Sequence, residues 1–452
     1  MLAKNSVAEV RITDITQEGN GVGRIDGAVV FVPATAIGDL IRVRIVKVTP
    51  RCLYGIVEEL LEPSADRCAS DCPAFPRCGG CSLRHLSYAA ECRLKEGWVR
   101  EAMRRIGGVT APVLPILPSP QESGYRNKAI YPVAVQNGEL RIGFYAKRSH
   151  RIVGQQDCRL HPPAFSRIVG AFREWIEING VSVYDENAHR GLVRALFLRQ
   201  GEVTEQVMAA VIANGERLPA ADDLIARLRN ACPQLVSVIL NVNREKTNVL
   251  LGKTCRTLWG SDTIEDVLCG LRFSLSPLSF YQVNRAGAER LYGVAKDFAA
   301  LTGGETLVDL YCGAGTVGLS MADGAKALIG VEIVPQAVEN AEANAAANGV
   351  SNARFLCADA AKAARMLEEE GLRPDVVVVD PPRKGLSPDL IETVSRMAPR
   401  RVVYISCNPA TAARDLALFA KTGYETEKIQ PVDMFPRAGH VETVVLMSRV
   451  KD

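Results

Sequence analysis

The chain has 452 residues, of which 47% are hydrophobic and 23% charged, which excludes a wholly disordered protein and allows about two to four packed domains. Its formal net charge of +3 is too small to establish a polyanionic partner without local clustering of cations. The N-terminus has no signal-peptide core, and no apolar run approaches the roughly 20 residues that span a bilayer. We therefore expect a cytoplasmic protein with no membrane partner. In that reducing compartment, its 13 cysteines are expected to be free thiols, metal ligands or nucleophiles in preference to disulfides.

Residues 6–60 consist of short alternating apolar stretches separated by glycine-containing turns. This pattern is typical of β-strands, and strands so closely spaced predict a small closed barrel of the oligonucleotide-binding kind. The cations Arg42, Arg44 and Lys47 alternate onto one face, which fits RNA binding but is also ordinary for an edge strand. A barrel without a ligand stays open as an alternative.

A cysteine-containing segment (68–81), a basic helix (88–106) and a proline-rich linker (112–120) follow the barrel. From about 125 to 255 the chain mixes strands and helices and is rich in Arg and Lys. Aromatic residues such as Tyr125 and Phe144 are interleaved with these cations and are suited to stacking on unpaired bases. We expect an RNA surface here, although a solvated charged face has the same composition.

From about residue 305, apolar strands alternate with helical segments, which predicts a doubly wound parallel sheet. The first strand runs into a turn with Gly313 and Gly315, where glycine allows close backbone approach to a ligand. Glu332, Asp359 and Asp380 stand at the ends of the next strands. Three carboxylates suit a cationic nucleoside cofactor better than the anionic pyrophosphate of NAD. The sequence therefore favours S-adenosylmethionine.

A thiol and a carboxylate are expected at the same edge of this sheet. Cys407 follows a predicted strand in Ser406-Cys407-Asn408-Pro409, and Glu442 opens the next strand. Enzymes that methylate exocyclic amines generally have an aromatic residue where this chain has Arg383. The sequence thus argues against amine methylation.

In these motifs the chain resembles the RNA (uracil-5-)-methyltransferase family, which modifies transfer RNA and 23S ribosomal RNA. With the N-terminal barrel, which looks like a TRAM domain, the similarity covers nearly the whole chain. The matching motifs are Ser279-Phe280-Tyr281-Gln282-Val283-Asn284, Asp309-Leu310-Tyr311-Cys312-Gly313, Asp380-Pro381-Pro382-Arg383-Lys384-Gly385, Ser406-Cys407-Asn408-Pro409 and His440-Val441-Glu442.

The resemblance implies roles for individual residues. Cys407 would be the nucleophile that adds to C6 of uracil, and Glu442 the base that later removes the C5 proton. Phe280 matches a position near the flipped base. Some relatives have Asn where this chain has Thr316, so no cofactor contact is assigned there. The expected contacts to S-adenosylmethionine are Gln282, Tyr311, Glu332, Asp359 and Asp380.

Three cysteines cluster in the segment after the barrel, and a fourth lies far downstream. Two tight Cys-x2-Cys pairs would predict zinc, whereas this uneven spacing favours a cubane iron–sulfur cluster. The same spacing in the resembled family marks a [4Fe-4S] site, so Cys68 and Cys92 are left outside the ligand set. The expected ligands are Cys72, Cys78, Cys81 and Cys158.

The predicted fold class is α/β: a doubly wound, Rossmann-like methyltransferase domain with an N-terminal TRAM/OB-like barrel and a central α+β domain. The expected divisions are 1–61, 62–84 plus 117–270, and 85–116 plus 271–452. We expect 5-methyluridine formation in RNA with an extruded uridine and no obligate protein partner. The resemblance favours 23S ribosomal RNA over transfer RNA. The rival hypotheses are a catalytically silent RNA-binding assembly factor and a 5-methylcytosine enzyme.

Overall fold

The computed structural model describes residues 3–154 and 157–450. Its strands form a closed β-barrel, two seven-stranded sheets and a two-stranded hairpin. Within these ranges, no helix is both long enough and apolar enough to cross a membrane.

The barrel forms because its strands alternate buried and exposed side chains. Val30 and Val32 are fully buried, whereas Phe31 between them lies on the outer face, opposite Tyr54. The strands join in the order β1-β2-β3-β5-β4 and close, which confirms the predicted barrel. They are β1 (Val7–Ile15), β2 (Asn20–Ile25), β3 (Ala28–Pro33), β4 (Leu40–Val48) and β5 (Leu53–Glu62).

A helix and a proline-containing segment connect the barrel to the central sheet. Helix α1 (Tyr88–Ala102) begins at the cap Ser87, whose side chain accepts a hydrogen bond from the amide of Ala90, and continues into a π-helical turn (Met103–Gly107). This agrees with the predicted helix at 88–106.

The central sheet has the order β12-β11-β10-β9-β6-β7-β8. Helices α2 and α3 cover one face, and Ala195, Phe197 and Met208 on the other face pack towards the C-terminal part of the chain. Its elements are β6 (Lys128–Gln136), β7 (Glu139–Tyr145), β8 (Ile152–Gly154), α2 (Pro163–Ile178), β9 (Val193–Gln200), β10 (Val207–Ala213), α3 (Ala221–Ala231), β11 (Leu235–Val242) and β12 (Thr254–Gly260).

The third sheet has the order β17-β16-β15-β18-β19-β21-β20. Strands β15 to β19 are parallel. The hairpin and third-sheet elements are β13 (Ile264–Leu268), β14 (Leu271–Leu275), α4 (Arg285–Ala299), β15 (Thr306–Leu310), α5 (Thr316–Leu319), a 3-10 turn (Ala322–Gly324), β16 (Ala327–Glu332), α6 (Pro335–Ala347), β17 (Ala353–Cys357), α7 (Ala360–Glu369), β18 (Val376–Val379), α8 (Pro388–Met397), β19 (Arg401–Ser406), α9 (Pro409–Lys421), β20 (Tyr424–Val432) and β21 (Glu442–Arg449).

The expectation of a parallel sheet is wrong for the last strand. β21 runs antiparallel to both β19 and β20, because the 433–441 connection reverses the chain direction without a crossover helix. The reversal places the start of β21 beside the end of β19, and this decides where Glu442 lies.

The 433–441 connection is held by α1. Lys95 is fully buried, and its ammonium donates to Glu91 Oε1 (2.7 Å), Asp433 Oδ1 (2.8 Å) and the carbonyl of Phe435 (3.0 Å). A buried ammonium is strongly destabilising unless it is paired and hydrogen-bonded. The network therefore fixes the connection on the helix.

The barrel also contacts this connection. A Cβ added at Gly439 would lie 1.7 Å from the carbonyl oxygen of Gln17, in the β1–β2 turn, so only glycine fits there. The amide of Ser82 donates to the carbonyl of Arg437 (2.9 Å). The β1–β2 turn therefore packs against Gly439, the residue before His440.

Candidate active site

The carboxyl ends of four neighbouring strands meet at one edge of the third sheet. Leu310 of β15 pairs with Val331 of β16 and with Val379 of β18. Because these strands are parallel and in register, the side chains at their ends lie at the same edge. The predicted residues at these ends are Tyr311, Glu332, Asp380 and Cys407.

The turn after β15 leaves room for a ligand. Gly313 and Gly315 have φ angles of +56° and +81°, in the left-handed region that favours glycine. A Cβ added at Gly313 would meet no atom within 4 Å. Glu332 holds the turn, since its Oε2 accepts from the amide of Gly313 at 3.1 Å. The backbone can therefore be approached closely at this point.

Two acids with raised pKa values lie near the carboxyl ends of β15 and β18. Burial raises the pKa of Asp380 to about 7. Burial, with the charges of Asp380 and Glu332, raises the pKa of Asp309 to about 8, although Asp309 accepts a hydrogen bond from the amide of Gly318. Carboxyl groups so poorly compensated favour a cation next to them. The sulfonium of S-adenosylmethionine meets that requirement.

Sequence analysis missed Tyr292, which organises the cofactor side of the site. This buried residue of α4 lies 3.2 Å from the hydroxyl of Thr316, and it is also hydrogen-bonded to the side chain of Gln282 and near Asp380. In the sequence, Tyr292 follows Leu291 on the apolar face of a helix, a pattern typical of a core residue. Only the fold brings the three polar groups together.

Asp359 lies one strand further along the same sheet. It is the N-cap of α7, and its Oδ1 accepts from the amides of Ala361 (3.0 Å) and Lys362 (3.2 Å). Helix capping therefore occupies part of its hydrogen-bonding capacity.

Cys407 and Glu442 face each other across the β19–β21 pair. Ser406 pairs with Thr443, so Cys407 and Glu442 occupy the adjoining positions of an antiparallel ladder. Burial raises the pKa of the Cys407 thiol, the charges of Glu442 and Asp380 raise it further, and the nearby Arg383 lowers it. The thiol and the carboxyl group thus lie within electrostatic reach of each other.

Glu442 is only 8% exposed. Burial, with the charge of Asp380, raises its pKa to about 8, and Arg383 opposes this shift. Across the chain that the structure describes, no side-chain hydrogen bond to this carboxyl group is found. A buried acid with a pKa near neutrality is suited to proton transfer.

Arg383 and His440 lie next to each other, beside the Cys407–Glu442 pair. A terminal nitrogen of Arg383 lies 3.3 Å from Nε2 of His440. Burial and the Arg383 charge lower the pKa of His440, which favours the neutral ring. Phe280, on the loop between β14 and α4, is 65% exposed, which leaves its ring free to contact a ligand.

The four cysteines predicted as metal ligands line one cavity of about 40 Å³, compared with about 10–15 Å³ for one water. Burial raises the pKa of Cys158 to about 12, and the charges of the other three thiols contribute. Arg84, Arg126 and Arg159 are among the other lining residues. Cys68 and Cys92 are not part of it.

The cavity does not establish a cluster. In the ranges 3–154 and 157–450, no three or more His, Cys, Asp or Glu side chains are grouped to hold a metal ion. A cubane cluster carries its irons at separate corners, so its thiolates stand further apart than the ligands of a single ion. The [4Fe-4S] prediction is not confirmed and stays a prediction.

The doubly wound sheet, the glycine turn and the acids at its carboxyl edge define a methyltransferase that uses S-adenosylmethionine, with an N-terminal barrel. Residues 263–450 match the tRNA (Uracil-5-)-methyltransferase family, and residues 3–57 match the TRAM domain.

Known proteins resemble the chain over nearly its full length. An uncharacterized RNA methyltransferase of Halalkalibacterium halodurans is 43% identical over 445 residues, which is 98% of this chain and 97% of the relative. One from Listeria innocua is 42% identical and covers 99% of both chains. The solved tRNA (uracil-54, C5)-methyltransferase of Pyrococcus abyssi, in complex with S-adenosyl-L-homocysteine, is 28% identical, with a TM-score of 0.79 over 97% of this chain and all of that one. The chain belongs to the RNA (uracil-5-)-methyltransferase family.

Proposed function

We propose that this protein converts a uridine of 23S ribosomal RNA to 5-methyluridine through a covalent Cys407 adduct. The observation that carries the proposal is the β19–β21 register, which sets a thiol beside a buried, unpaired carboxyl group. Uracil methylation at C5 requires one group of each kind. Binding or assembly alone would require neither.

Cys407 starts the reaction by adding its thiolate to C6 of uracil, which turns the C5 side of the ring into a carbon nucleophile. S-adenosylmethionine supplies an electrophilic methyl group when it is bound. C5 then carries both the methyl group and its original proton. Glu442 accepts that proton, the C5–C6 double bond re-forms, and the thiolate of Cys407 leaves. The positive charge of Arg383 favours the thiolate form of Cys407 over the thiol.

The acids and the glycine turn fit the cofactor. Asp380 is half-buried, its pKa is raised by this burial with no offsetting charge, and the space above Gly313 is open. We assign the hydroxyl groups of its ribose to Glu332, in accord with the general use of an acid at this strand end. The full set assigned to the cofactor is Gln282, Tyr311, Glu332, Asp359 and Asp380.

The RNA surface is proposed to include the outer face of the barrel. The rings of Phe31 and Tyr54 lie 5.6 Å apart, and the ammonium of Lys47 is 5.8 Å from the centre of the Tyr54 ring. Aromatic rings beside cations stack on unpaired bases and attract phosphates. Extrusion of a uridine is easiest in such unpaired segments.

We further propose a [4Fe-4S] cluster in the cysteine cavity. Within the described part of the chain, two nitrogens of Arg84 and the Nε of Arg126 are buried without hydrogen-bond partners, and both residues line the cavity. Arg84 also forms an ion pair with Asp71 through its third nitrogen. Guanidinium nitrogens free to donate beside four thiols fit an anionic thiolate cluster. Because methyl transfer is a polar step, the proposed role is structural: the cluster would join the 72–81 loop to Cys158. The ligands would be Cys72, Cys78, Cys81 and Cys158.

The proposed division of the chain is a barrel (1–61), a central RNA-binding unit (62–84 plus 117–270) and a methyltransferase unit (85–116 plus 271–452). We place the protein in the cytoplasm.

Transfer RNA is the second candidate substrate, because the similar P. abyssi enzyme is a tRNA methyltransferase. Mapping 5-methyluridine in both RNAs from a deletion strain decides between them. Loss of a ribosomal 5-methyluridine, restored by the wild-type gene and not by Cys407→Ala, is the expected result. Loss from transfer RNA alone contradicts the ribosomal assignment.

A further inference from the structure

An unpaired lysine lies at the start of β6, beside the residues that hold the loop carrying Phe280. Lys128 opens β6 and pairs in register with Arg199 of β9. The side chain is half-buried, and among residues 3–154 and 157–450 its ammonium has no hydrogen-bond or ion-pair partner. The charged groups that act on it are the guanidiniums of Arg199 and Arg126, which, after burial, lower its pKa to about 8. In the described part of the chain, no carboxylate offsets this concentration of positive charge.

The neighbours of Lys128 face the loop that carries Phe280 and Gln282. Asn127 donates from its side chain to the carbonyl of Gln282 (2.9 Å) and from its backbone to Val283 (2.8 Å). The chain next to Lys128 is therefore bonded to the loop of the candidate active site and does not lie on a remote face of the protein.

Arg199 has a structural task that Lys128 lacks. This residue is 1% exposed, and its terminal nitrogens donate to the carbonyls of Ser276 and Ser279. Those bonds hold the loop that presents Phe280. Its Nε and the side-chain oxygens of Asn127 and Gln200 are buried and have no hydrogen-bond partner among the residues that the structure describes. The polar groups around Lys128 are thus incompletely satisfied.

Burial of a cation near two others is destabilising unless an anion compensates. Packing of the lysine stem alone does not require the charge, since a methionine would fill a similar volume. Because Arg126 lines the cysteine cavity and Arg199 is committed to the loop, the cation left for an external ligand is Lys128. The ligand must be anionic and must reach into the cleft beside the reacting base.

We propose that Lys128 binds a phosphodiester of the RNA strand next to the extruded uridine, an inference that rests on the proposed function. The contact fixes the backbone on one side of the flipped nucleotide, while Phe280 is available to the base. A phosphate contact carries no sequence information. Lys128 therefore contributes to affinity and to the position of the strand.

The test compares Lys128→Met and Lys128→Gln with the wild-type protein in binding a fluorescent oligouridylate over a range of salt concentrations. We expect about tenfold weaker binding, as for one lost charge-assisted hydrogen bond. The slope of log K against log salt should become shallower by about 0.7, the value for one single-strand phosphate. Lys128→Arg should retain most of the binding.

The matched control is Lys326→Met, an exposed lysine at the opposite edge of the third sheet; neither affinity nor slope should change. S-adenosylmethionine binding should be equal in all variants. The proposal is overturned if both neutral Lys128 variants keep the wild-type salt slope, or if the Lys128 variants lose cofactor affinity in parallel. Binding is read without turnover. A wild-type protein that binds oligouridylate but makes no 5-methyluridine therefore contradicts the proposed function and not the Lys128 contact.

Discussion

Replacement of Glu442 by Gln separates the last chemical step from the earlier ones. Glutamine keeps the shape of glutamate but does not accept a proton at neutral pH. Cys407 and the cofactor site are unchanged, so the variant should form the adduct and transfer the methyl group. It should then stall with methylated RNA attached to the protein.

The pKa of Glu442 sets how strongly the rate of product release should depend on pH. With a pKa of about 8, Glu442 of the free protein is about one-tenth ionised at pH 7 and about nine-tenths at pH 9. Burial raises this pKa, so the base form is gained as pH rises through 8 and lost as it falls. Product release from the wild-type adduct should therefore accelerate up to about tenfold between pH 7 and pH 9. In Glu442→Gln it should be at least about 100-fold slower and independent of pH over this range.

The assay follows a denaturation-resistant protein–RNA band that carries label from methyl-labelled S-adenosylmethionine. Release is timed from the preformed adduct, so the titration of Cys407 does not enter the rate. The control Glu427→Gln changes an exposed residue of β20 and should behave as wild type, and the Cys407→Ala,Glu442→Gln double variant should give no band. Release of 5-methyluridine RNA from Glu442→Gln at the wild-type rate would show that another group, or water, is the base.

Three further predictions concern separate parts of the molecule. Cys407→Ala should abolish methylation while calorimetry finds unchanged S-adenosylmethionine binding; measurable turnover contradicts the covalent mechanism. Protein purified without oxygen should be brown with about four irons and should lose iron in Cys158→Ser but not in Cys92→Ser; one equivalent of zinc without iron refutes the cluster. Gly439→Ala places a methyl group 1.7 Å from a backbone oxygen of the barrel turn, so Tm should fall by several degrees and RNA affinity should weaken. Gly304→Ala, in open space, should leave both unchanged.

Local patterns predicted the elements that carry the site. The barrel, α1 and the strands of the third sheet follow from alternation, apolar runs and glycine turns over a few residues each. Glu332 and Asp380 were placed at one edge because parallel strands end on the same side. These predictions needed no knowledge of which segments pack together.

Features that depend on long-range packing were less accessible. The direction of β21 depends on how the 433–441 connection packs, and this reverses the parallel order expected for the last strand. Tyr292 resembles a core residue until the fold brings it to Gln282 and Thr316. Lys128 is one cation among many in its segment, and only the pairing with Arg199 places it beside the residue that holds the Phe280 loop.

The Lys95 network links two segments that are synthesised far apart in time. Lys95 emerges from the ribosome 338 residues before its partner Asp433, and Glu442 follows later still. Before the 433–441 connection is synthesised, Lys95 and Glu91 have nothing to pack against, so that face of α1 stays in water. Chains of this kind with many distant contacts fold slowly. Glu442 can therefore lie beside Cys407 only after the closing strand has been made, so the proposed reaction is confined to the completed chain.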